Sequence, residues 1–396
     1  MRSVEVSPGI HWVGAIDWNL RDFHGYETPR GTTYNAYIVK GETQTALVDT
    51  VKLPFVPELL ERTRSVMDPA DIDVIVVNHV EPDHNSGLPE VMAACPDARV
   101  VASRSGVQGV AEYHNGLKVE AVGAEDVIDL GGKTLHFMPM PMVHWPDSMF
   151  TFCPEVCTLM PNDAFGQHVA SSQRFADEIG LDFAFEQLGI YFANILTPVA
   201  KPVSKAIDKI VEAGWQCKTI APSHGLMWHE SDVPRLLETY KRWCDGHTEP
   251  RAVVAYGTMW GSTDTLARAI ADGIVAEGVE VFLYDLAVSL VSDVTYELLE
   301  SSALVLGSST LHHGMLYRVA GYVQWLAGLE PKGKLGAVFG SYGWGGGACK
   351  QMAGRLGEIG FEMPFDEFTV KYRPTREDIE AAVEWGRVVG RAVLER

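Results

Sequence analysis

Residues 73–84 read DVIVVNHVEPDH, an apolar run typical of a buried strand followed directly by four potential metal ligands. Extended geometry places His79, Glu81 and Asp83 on one face of the chain, and a turn would let His84 reach a second ion. A solvated loop needs no imidazoles, and a buried core rejects uncompensated carboxylates. This segment therefore predicts a metal centre at the end of a strand.

Three later residues also follow apolar runs: His144, Asp163 and His224. The chain thus offers four histidines and three carboxylates, enough for two ions about 3.5 Å apart if one carboxylate bridges them. We expect Asp163 to be that bridge. The other ligands divide into His79, Glu81 and His144 on one ion and Asp83, His84 and His224 on the other. Imidazole with this much carboxylate suits iron or manganese, although affinity alone also permits zinc.

Short β-type runs alternate with polar turns in the first half, at 35–39, 45–50, 73–77, 98–103, 134–140 and 218–223. The turn KGET between two of them predicts an early antiparallel hairpin. Helical segments separate other runs, so this half mixes antiparallel pairs with strand-helix units. The pattern predicts an αβ/βα sandwich, and the polar stretch CDGHTEPR at 244–251 predicts a linker after it.

Beyond residue 251, apolar strands alternate regularly with amphipathic helices, and a helix at 375–395 closes the chain. This alternation is typical of a doubly wound parallel sheet. We therefore predict two α/β domains, the metal-binding sandwich at 1–247 and the doubly wound domain at 251–396.

Three loops of the second domain follow strands, where a doubly wound sheet binds its ligands. The loop at 257–264, GTMWGSTD, opens a helix and offers backbone amides and hydroxyls to a phosphate. It lacks the lysine of a P-loop, which favours a retained mononucleotide over a hydrolysed triphosphate. The loops at 307–314 and 340–347 carry glycines that allow a planar ring to approach, and Trp260 or Trp344 could stack on it. The predicted contacts are Thr258, Met259, Trp260, Gly261, Ser262, Thr263, Ser308, Ser309, Thr310, Leu311, His312, Gly314, Ser341, Tyr342, Gly343, Trp344, Gly345 and Gly346.

Composition excludes several classes of function. The 396 residues carry 52 acidic and 32 basic side chains, a net charge of −20 that repels nucleic acid and anionic membrane surfaces. The six cysteines show no C-x-x-C pair and no disulfide-like spacing. Neither a signal peptide nor an apolar stretch of transmembrane length is present, so we expect a cytoplasmic protein.

The spacing of the seven candidate ligands resembles that of flavodiiron proteins, whose metallo-β-lactamase-like domain holds a non-haem diiron centre. The likeness spans the chain and includes HWPDSMF at His144 and NDAFGQH at Asp163, while TMWGST resembles the FMN phosphate loop of flavodoxins. It implies two irons and one FMN per chain, with electrons passing from the flavin to irons that reduce oxygen to water, nitric oxide to nitrous oxide, or both.

The resemblance also assigns residues around the metals. It implies that His24, in RDFHG, lies near the distal iron, and that YFANI supplies a tyrosine near the metals. Tyr191 fits that role, but Phe192 occupies a position that is often tyrosine too, so either could face the site. Five other histidines are interpreted as surface or packed residues, at 11, 114, 136, 168 and 229.

Partners follow from the same resemblance. It implies a head-to-tail homodimer, or a tetramer of two such dimers, in which one subunit's FMN lies next to the other's metals. The chain ends at Arg396 without a C-x-x-C pair, so we expect no fused rubredoxin and a separate donor such as rubredoxin, reduced F420 or a flavin reductase.

Two alternatives remain open at the level of sequence. One is a dinuclear zinc hydrolase of the metallo-β-lactamase superfamily with an appended flavodoxin module, against which Glu81 argues, because such hydrolases usually carry histidine there. The other is an electron carrier with a structural metal, for which seven ligands are more than needed.

Overall fold

The computed structural model describes residues 1–396, which form two compact units. The first comprises Met1–His24, Thr28–Tyr191 and Val199–Lys241, and the second comprises Gly25–Glu27, Phe192–Pro198 and Arg242–Arg396. None of the helices combines the length and apolar character needed to cross a bilayer.

The first half contains seventeen short strands. They are β1 (Val4–Ser7), β2 (Ile10–Trp12), β3 (Ala15–Asp17), β4 (Asp22–Phe23), β5 (Tyr26–Glu27), β6 (Thr32–Tyr34), β7 (Tyr37–Lys40), β8 (Thr45–Val48), β9 (Val74–Val77), β10 (Arg99–Ala102), β11 (Val119–Ala121), β12 (Val127–Asp129), β13 (Thr134–Pro139), β14 (Met149–Cys153), β15 (Thr158–Met160), β16 (Thr219–Ile220) and β17 (Trp228–His229).

Seven α-helices accompany these strands: α1 (Val56–Arg64), α2 (Pro82–Asn85), α3 (Leu88–Ala94), α4 (Arg104–Tyr113), α5 (Leu181–Tyr191), α6 (Ala200–Glu212) and α7 (Val233–Cys244). Short 3-10 turns lie at Leu53–Phe55, Pro69–Asp71, Pro154–Val156 and Thr197–Val199, and a π-helical turn at Phe192–Leu196 follows α5.

Thirteen of these strands build two mixed sheets. One has the order β1-β2-β7-β8-β9-β10-β11 and the other β12-β13-β14-β15-β16-β17. Since side chains alternate along a strand, Val39, Val74 and Val76 join residues of β13 and β14 in the core between the sheets. Their neighbours Ile38 and Ile75 instead pack with α1, α3 and α4 on the other face. The predicted αβ/βα sandwich is confirmed.

The second unit is built on five strands, β18 (Glu249–Gly257), β19 (Glu280–Asp285), β20 (Ser301–Ser309), β21 (Leu335–Tyr342) and β22 (Phe368–Lys371). All neighbours in the order β19-β18-β20-β21-β22 are parallel. The helices are α8 (Ser262–Val275), α9 (Val291–Glu300), α10 (Tyr317–Leu329), α11 (Ala348–Ile359) and α12 (Arg376–Leu394).

Helices cover both faces of this parallel sheet. One buried cluster joins the sheet to α8 and α12, and another joins it to α9, α10 and α11. Helices α8 and α12 approach closely at glycines, because a Cβ at Gly273 would lie 2.0 Å from the Val383 carbonyl oxygen and one at Gly386 2.2 Å from that of Ile270. The predicted doubly wound sheet is confirmed.

The early hairpin is also confirmed, since β7 and β8 pair antiparallel with Lys40 opposite Thr45. Strands β1 to β6 precede the first predicted run, and their short length gave no periodic signal. The exact domain limits, 1–247 and 251–396, stay a prediction.

Candidate metal centre and flavin site

Strand ends bring the candidate ligands of the first unit together. Strand β9 ends two residues before His79, and Pro82 at the first position of α2 turns the chain so that Asp83 and His84 lie on that helix. The other three candidates, His144, Asp163 and His224, follow β13, β15 and β16 within a few residues. The ligand atoms form two groups, in each of which they lie within 4.8 Å of one another. The first group is His79, Glu81, His144 and Asp163, and the second is Asp83, His84 and His224.

Asp163 faces both groups with different oxygens. Its Oδ2 lies 3.1 Å from His144 Nε2 and 3.6 Å from His79 Nε2. Its Oδ1 lies 3.0 Å from His84 Nε2 and 3.5 Å from His224 Nε2. A carboxylate placed in this way can bridge two cations.

The buried ligand groups carry several charged side chains. Burial favours the neutral imidazole of His79, but hydrogen bonds to Asp147 and Glu81 outweigh it and raise its pKa to about 10. Burial alone would raise the pKa of Glu81, whereas hydrogen bonds from His144 and His24 hold that pKa well below its usual range. The carboxylates are therefore anionic and stabilise positive charge at this point.

Unsatisfied polar atoms show that the residues fit a metal. Both carboxylate oxygens of Asp83 and both ring nitrogens of His84 are buried without a hydrogen bond of ordinary geometry. Buried polar groups are nearly always hydrogen-bonded, so these atoms need another partner. Four imidazoles and three carboxylates form the donor set that iron accepts.

The three predicted loops and the segment after β22, all at the carboxyl ends of parallel strands, line a cavity of about 710 Å³ in the second unit. Twelve predicted contacts line it: Met259, Trp260, Ser262, Ser309, Thr310, Leu311, His312, Ser341, Tyr342, Gly343, Trp344 and Gly345. Six others do not, namely Thr258, Gly261, Thr263, Ser308, Gly314 and Gly346. Three lining residues were not predicted, His313, Tyr372 and Arg373. The last two follow β22, which carries no glycine-rich motif.

Hydroxyl groups connect the loops that line this cavity. Thr263 is fully buried, and its Oγ1 lies 2.9 Å from the hydroxyls of both Ser309 and Ser341. Thr263 thus ties the three loops together. Gly261 precedes α8 and has a positive φ of 85°. The free backbone amides at the start of α8 lie beside this loop and can bind a phosphate. These features fit a mononucleotide such as FMN.

Comparison with known proteins places the chain in a family. A family model described as "ODP family beta lactamase" matches residues 32–225, and one described as "Flavodoxin" matches residues 254–386. A nitric oxide reductase of Moorella thermoacetica is 43% identical over 99% of both chains. The structure of rubredoxin oxygen:oxidoreductase from Desulfovibrio gigas covers 100% of this chain and 99% of its own, with a TM-score of 0.96 and 36% identity. The flavodiiron protein of Giardia intestinalis is 31% identical with the same TM-score, over 100% of this chain and 97% of its own. The chain belongs to the flavodiiron family.

Two ligands of this flavodiiron chain are held by hydrogen bonds that the sequence did not predict. His79 Nδ1 donates to Asp147 Oδ2 at 2.9 Å, and the same oxygen accepts from the Val80 amide at 2.8 Å. His224 Nδ1 donates to the Thr33 carbonyl oxygen at 2.7 Å. Both rings are thereby turned so that Nε2 faces the other ligands. The motif HWPDSMF contained Asp147, but nothing local showed that it would reach His79.

The residues predicted near the metals, His24 and Tyr191 or Phe192, lie at different distances from the candidate ligands. His24 Nε2 lies 2.7 Å from Glu81 Oε1. Tyr191 is 2% exposed, and its ring centroid lies 6.3 Å from that of His224, whereas Phe192 packs on Trp243. Tyr191 is therefore the member of the pair that faces the ligands.

His168, interpreted from sequence as a surface or packed histidine, lies close to the second group. Its ring centroid is 4.9 Å from that of His224 and 5.1 Å from that of Tyr191. Its Nδ1 lies 2.9 Å from the Thr32 hydroxyl. Burial lowers its pKa well below the usual value, so the ring is neutral. Its position five residues after Asp163 was the only feature of the sequence that could have indicated that it lies near the ligands.

Proposed function

We propose that this flavodiiron chain is an oxidoreductase that reduces oxygen to water, nitric oxide to nitrous oxide, or both. The observation that carries the proposal is the placement of Asp163, with one oxygen toward each group of ligands. Seven ligands around a shared carboxylate support two ions that act on one small molecule.

The residues divide between two cofactors. His79, Glu81 and His144 would hold one iron, Asp83, His84 and His224 the other, and Asp163 would bridge them. The loops around the 710 Å³ cavity would hold FMN. When bound, FMN and the two irons supply the electron transfer and the reduction of the diatomic gas. We propose that the metal-binding domain spans residues 1–247 and the FMN-binding domain residues 251–396.

The chain itself positions and shelters the site. Asp147 and the Thr33 carbonyl fix two imidazole rings, so that their Nε2 atoms would be free to bind the ions. His24 is 44% exposed in its side chain and hydrogen-bonded to Glu81, so we propose that it supplies protons from the solvent side. The ring of Tyr191 is buried 6.3 Å from that of His224, where it would limit access of bulk water.

The hydrolase alternative is disfavoured. Glu81 lies inside the first group, with Oε2 3.2 Å from His79 Nε2 and 3.3 Å from His144 Nε2. A carboxylate there adds negative charge that would stabilise an oxidised iron held by this group. Relatives over the full chain are named as reductases and oxidoreductases, which supports redox chemistry.

We further propose that the enzyme is a cytoplasmic head-to-tail homodimer that takes electrons from a separate donor. The relative from Desulfovibrio gigas is named for rubredoxin, which makes a rubredoxin the first donor to test. Reduced F420 and a flavin reductase are the other candidates.

The test is metal and flavin content followed by anaerobic photoreduction and rapid mixing with each gas. The proposal expects about two irons per chain, bound FMN, and fast reoxidation, and the gas that reoxidises faster is the preferred substrate. Zinc in both positions together with a flavin inert to both gases would overturn it.

A further inference from the structure

The cavity that would hold FMN is lined by basic side chains and by no acidic ones. Its lining contains His312, His313 and Arg373 but no aspartate or glutamate. The whole chain carries 52 acidic residues against 32 basic ones. The cavity therefore lacks the negative charge that dominates the rest of the chain.

Arg373 is the permanent cation among the lining residues. It follows Tyr372 just beyond β22, and the Tyr372 amide donates to the Tyr342 carbonyl oxygen at 2.6 Å. The Tyr372 ring lies 3.4 Å from where a Cβ on Gly343 would be. These contacts fix the segment beside the loop at 340–347.

The guanidinium of Arg373 has no acidic partner within the chain. No ion pair forms between it and a carboxylate, whereas Arg376 pairs with Glu380 at 2.9 Å. The charge of Arg373 is thus available to a group inside the cavity. An arginine keeps this charge at every physiological pH.

We propose that Arg373 stabilises the reduced flavin ring and so raises the reduction potential of bound FMN. This inference rests on the proposed binding of FMN. Uptake of two electrons and one proton gives the ring one additional negative charge. A cation beside the ring lowers the free energy of that reduced form, and the protein tunes a flavin in this way through nearby charges.

The experiment is a redox titration of the purified FMN-loaded enzyme carrying Arg373→Gln. We expect reduced FMN to bind about tenfold more weakly relative to oxidised FMN, a negative shift of about 30 mV in the two-electron midpoint. The Kd for oxidised FMN changes little. Arg373→Lys keeps most of the midpoint, and the shift shrinks at high ionic strength because Arg373 is exposed.

Arg376→Gln is the matched control, since it removes one exposed positive charge three residues away that does not line the cavity. Its midpoint should equal that of the wild type. An unchanged midpoint in Arg373→Gln would overturn the inference. Loss of affinity for oxidised FMN without a shift in midpoint would also overturn it, because Arg373 would then bind the phosphate or support the cavity lining. Wild-type enzyme that holds no FMN would instead overturn the proposed function.

Discussion

At the scale of single residues, Asp163 links the two groups of ligands because its two oxygens point in different directions. His144 lies beside Oδ2 and His84 beside Oδ1, both near 3 Å. Removing this one carboxylate therefore affects both ions, whereas removing a ligand that belongs to one group affects mainly one.

We expect Asp163→Ala to lose both irons and His144→Ala to keep the ion of the second group, about one per chain. Iron analysis after gel filtration measures the difference, and circular dichroism checks that both variants fold. Equal iron loss in the two variants would contradict the bridging role of Asp163.

Asp147 would act on a bound ion through His79, whose ring it orients. Replacing it by asparagine weakens the hydrogen bond that orients the ring, and such changes cost about 10- to 100-fold in metal affinity. Competition with a chelator measures this loss. Asp97→Asn, an exposed carboxylate away from the site, is the control, and identical chelator curves for the two variants would refute the prediction.

Lys334 gives the second unit a pH-dependent stability. Its Nζ donates to the Leu299 and Ser301 carbonyl oxygens, and burial lowers its pKa to about 7 from 10.5. Between these values the unfolded chain binds a proton that the folded chain does not, so the free energy of unfolding rises with pH. Below about pH 7 the lysine is charged in both states and the burial penalty is constant.

Relative to Lys334→Met, the wild type should therefore gain stability as pH rises from about 7 to 10.5, by at most ~1.4 kcal/mol per pH unit. Urea unfolding at several pH values measures the difference. Lys332→Met, whose side chain is 79% exposed, should follow the wild type. Parallel pH profiles for wild type and Lys334→Met would exclude this effect.

At the scale of elements, the contact between α8 and α12 depends on glycine. A Cβ at Gly273 would lie 2.0 Å from the Val383 carbonyl oxygen, in a place where the backbones of the two helices meet. Neither backbone can yield without breaking its own helical hydrogen bonds. The close approach buries the apolar faces of both helices on one side of the sheet.

Gly273→Ala should destabilise the protein by about 1 to 3 kcal/mol, the usual cost of overpacking. Gly354→Ala in α11 is the control, because a Cβ there meets nothing within 4 Å, and it should stabilise the helix by up to about 1 kcal/mol. Chemical denaturation compares the two, and equal effects would rule out a close helix contact.

At the scale of the whole molecule, the proposed head-to-tail dimer has a functional test. Asp163→Ala removes the metals and Ser262→Asp places a carboxylate where the FMN phosphate would bind. Each variant alone should be inactive. Co-expression should restore about a quarter of the wild-type activity, since half of randomly assorted dimers are mixed and each mixed dimer has one working pair.

Mixing the two purified variants without subunit exchange is the control and should restore nothing. If co-expressed subunits form mixed dimers that stay inactive, electrons pass within one chain and the head-to-tail arrangement is wrong.

Much of the molecule could be predicted from local patterns. The spacing of apolar residues predicted strands β7 to β10 and the alternating strands and helices of the second half. Burial of one or both faces of an element determines this spacing. Ligand chemistry also has a local signature, so His79 to His84 and the three later ligands could be named before their distances were known.

The sequence by itself therefore determined the fold class, the residue types of the metal site and the three loops of the flavin cavity. Only the tertiary structure decided that Asp147 reaches His79, that Tyr191 rather than Phe192 faces the ligands, and that Arg373 joins the cavity. The physical reason is distance along the chain. Periodicity and ligand spacing record a residue's immediate neighbours, whereas these contacts join segments that meet only when the sheets assemble.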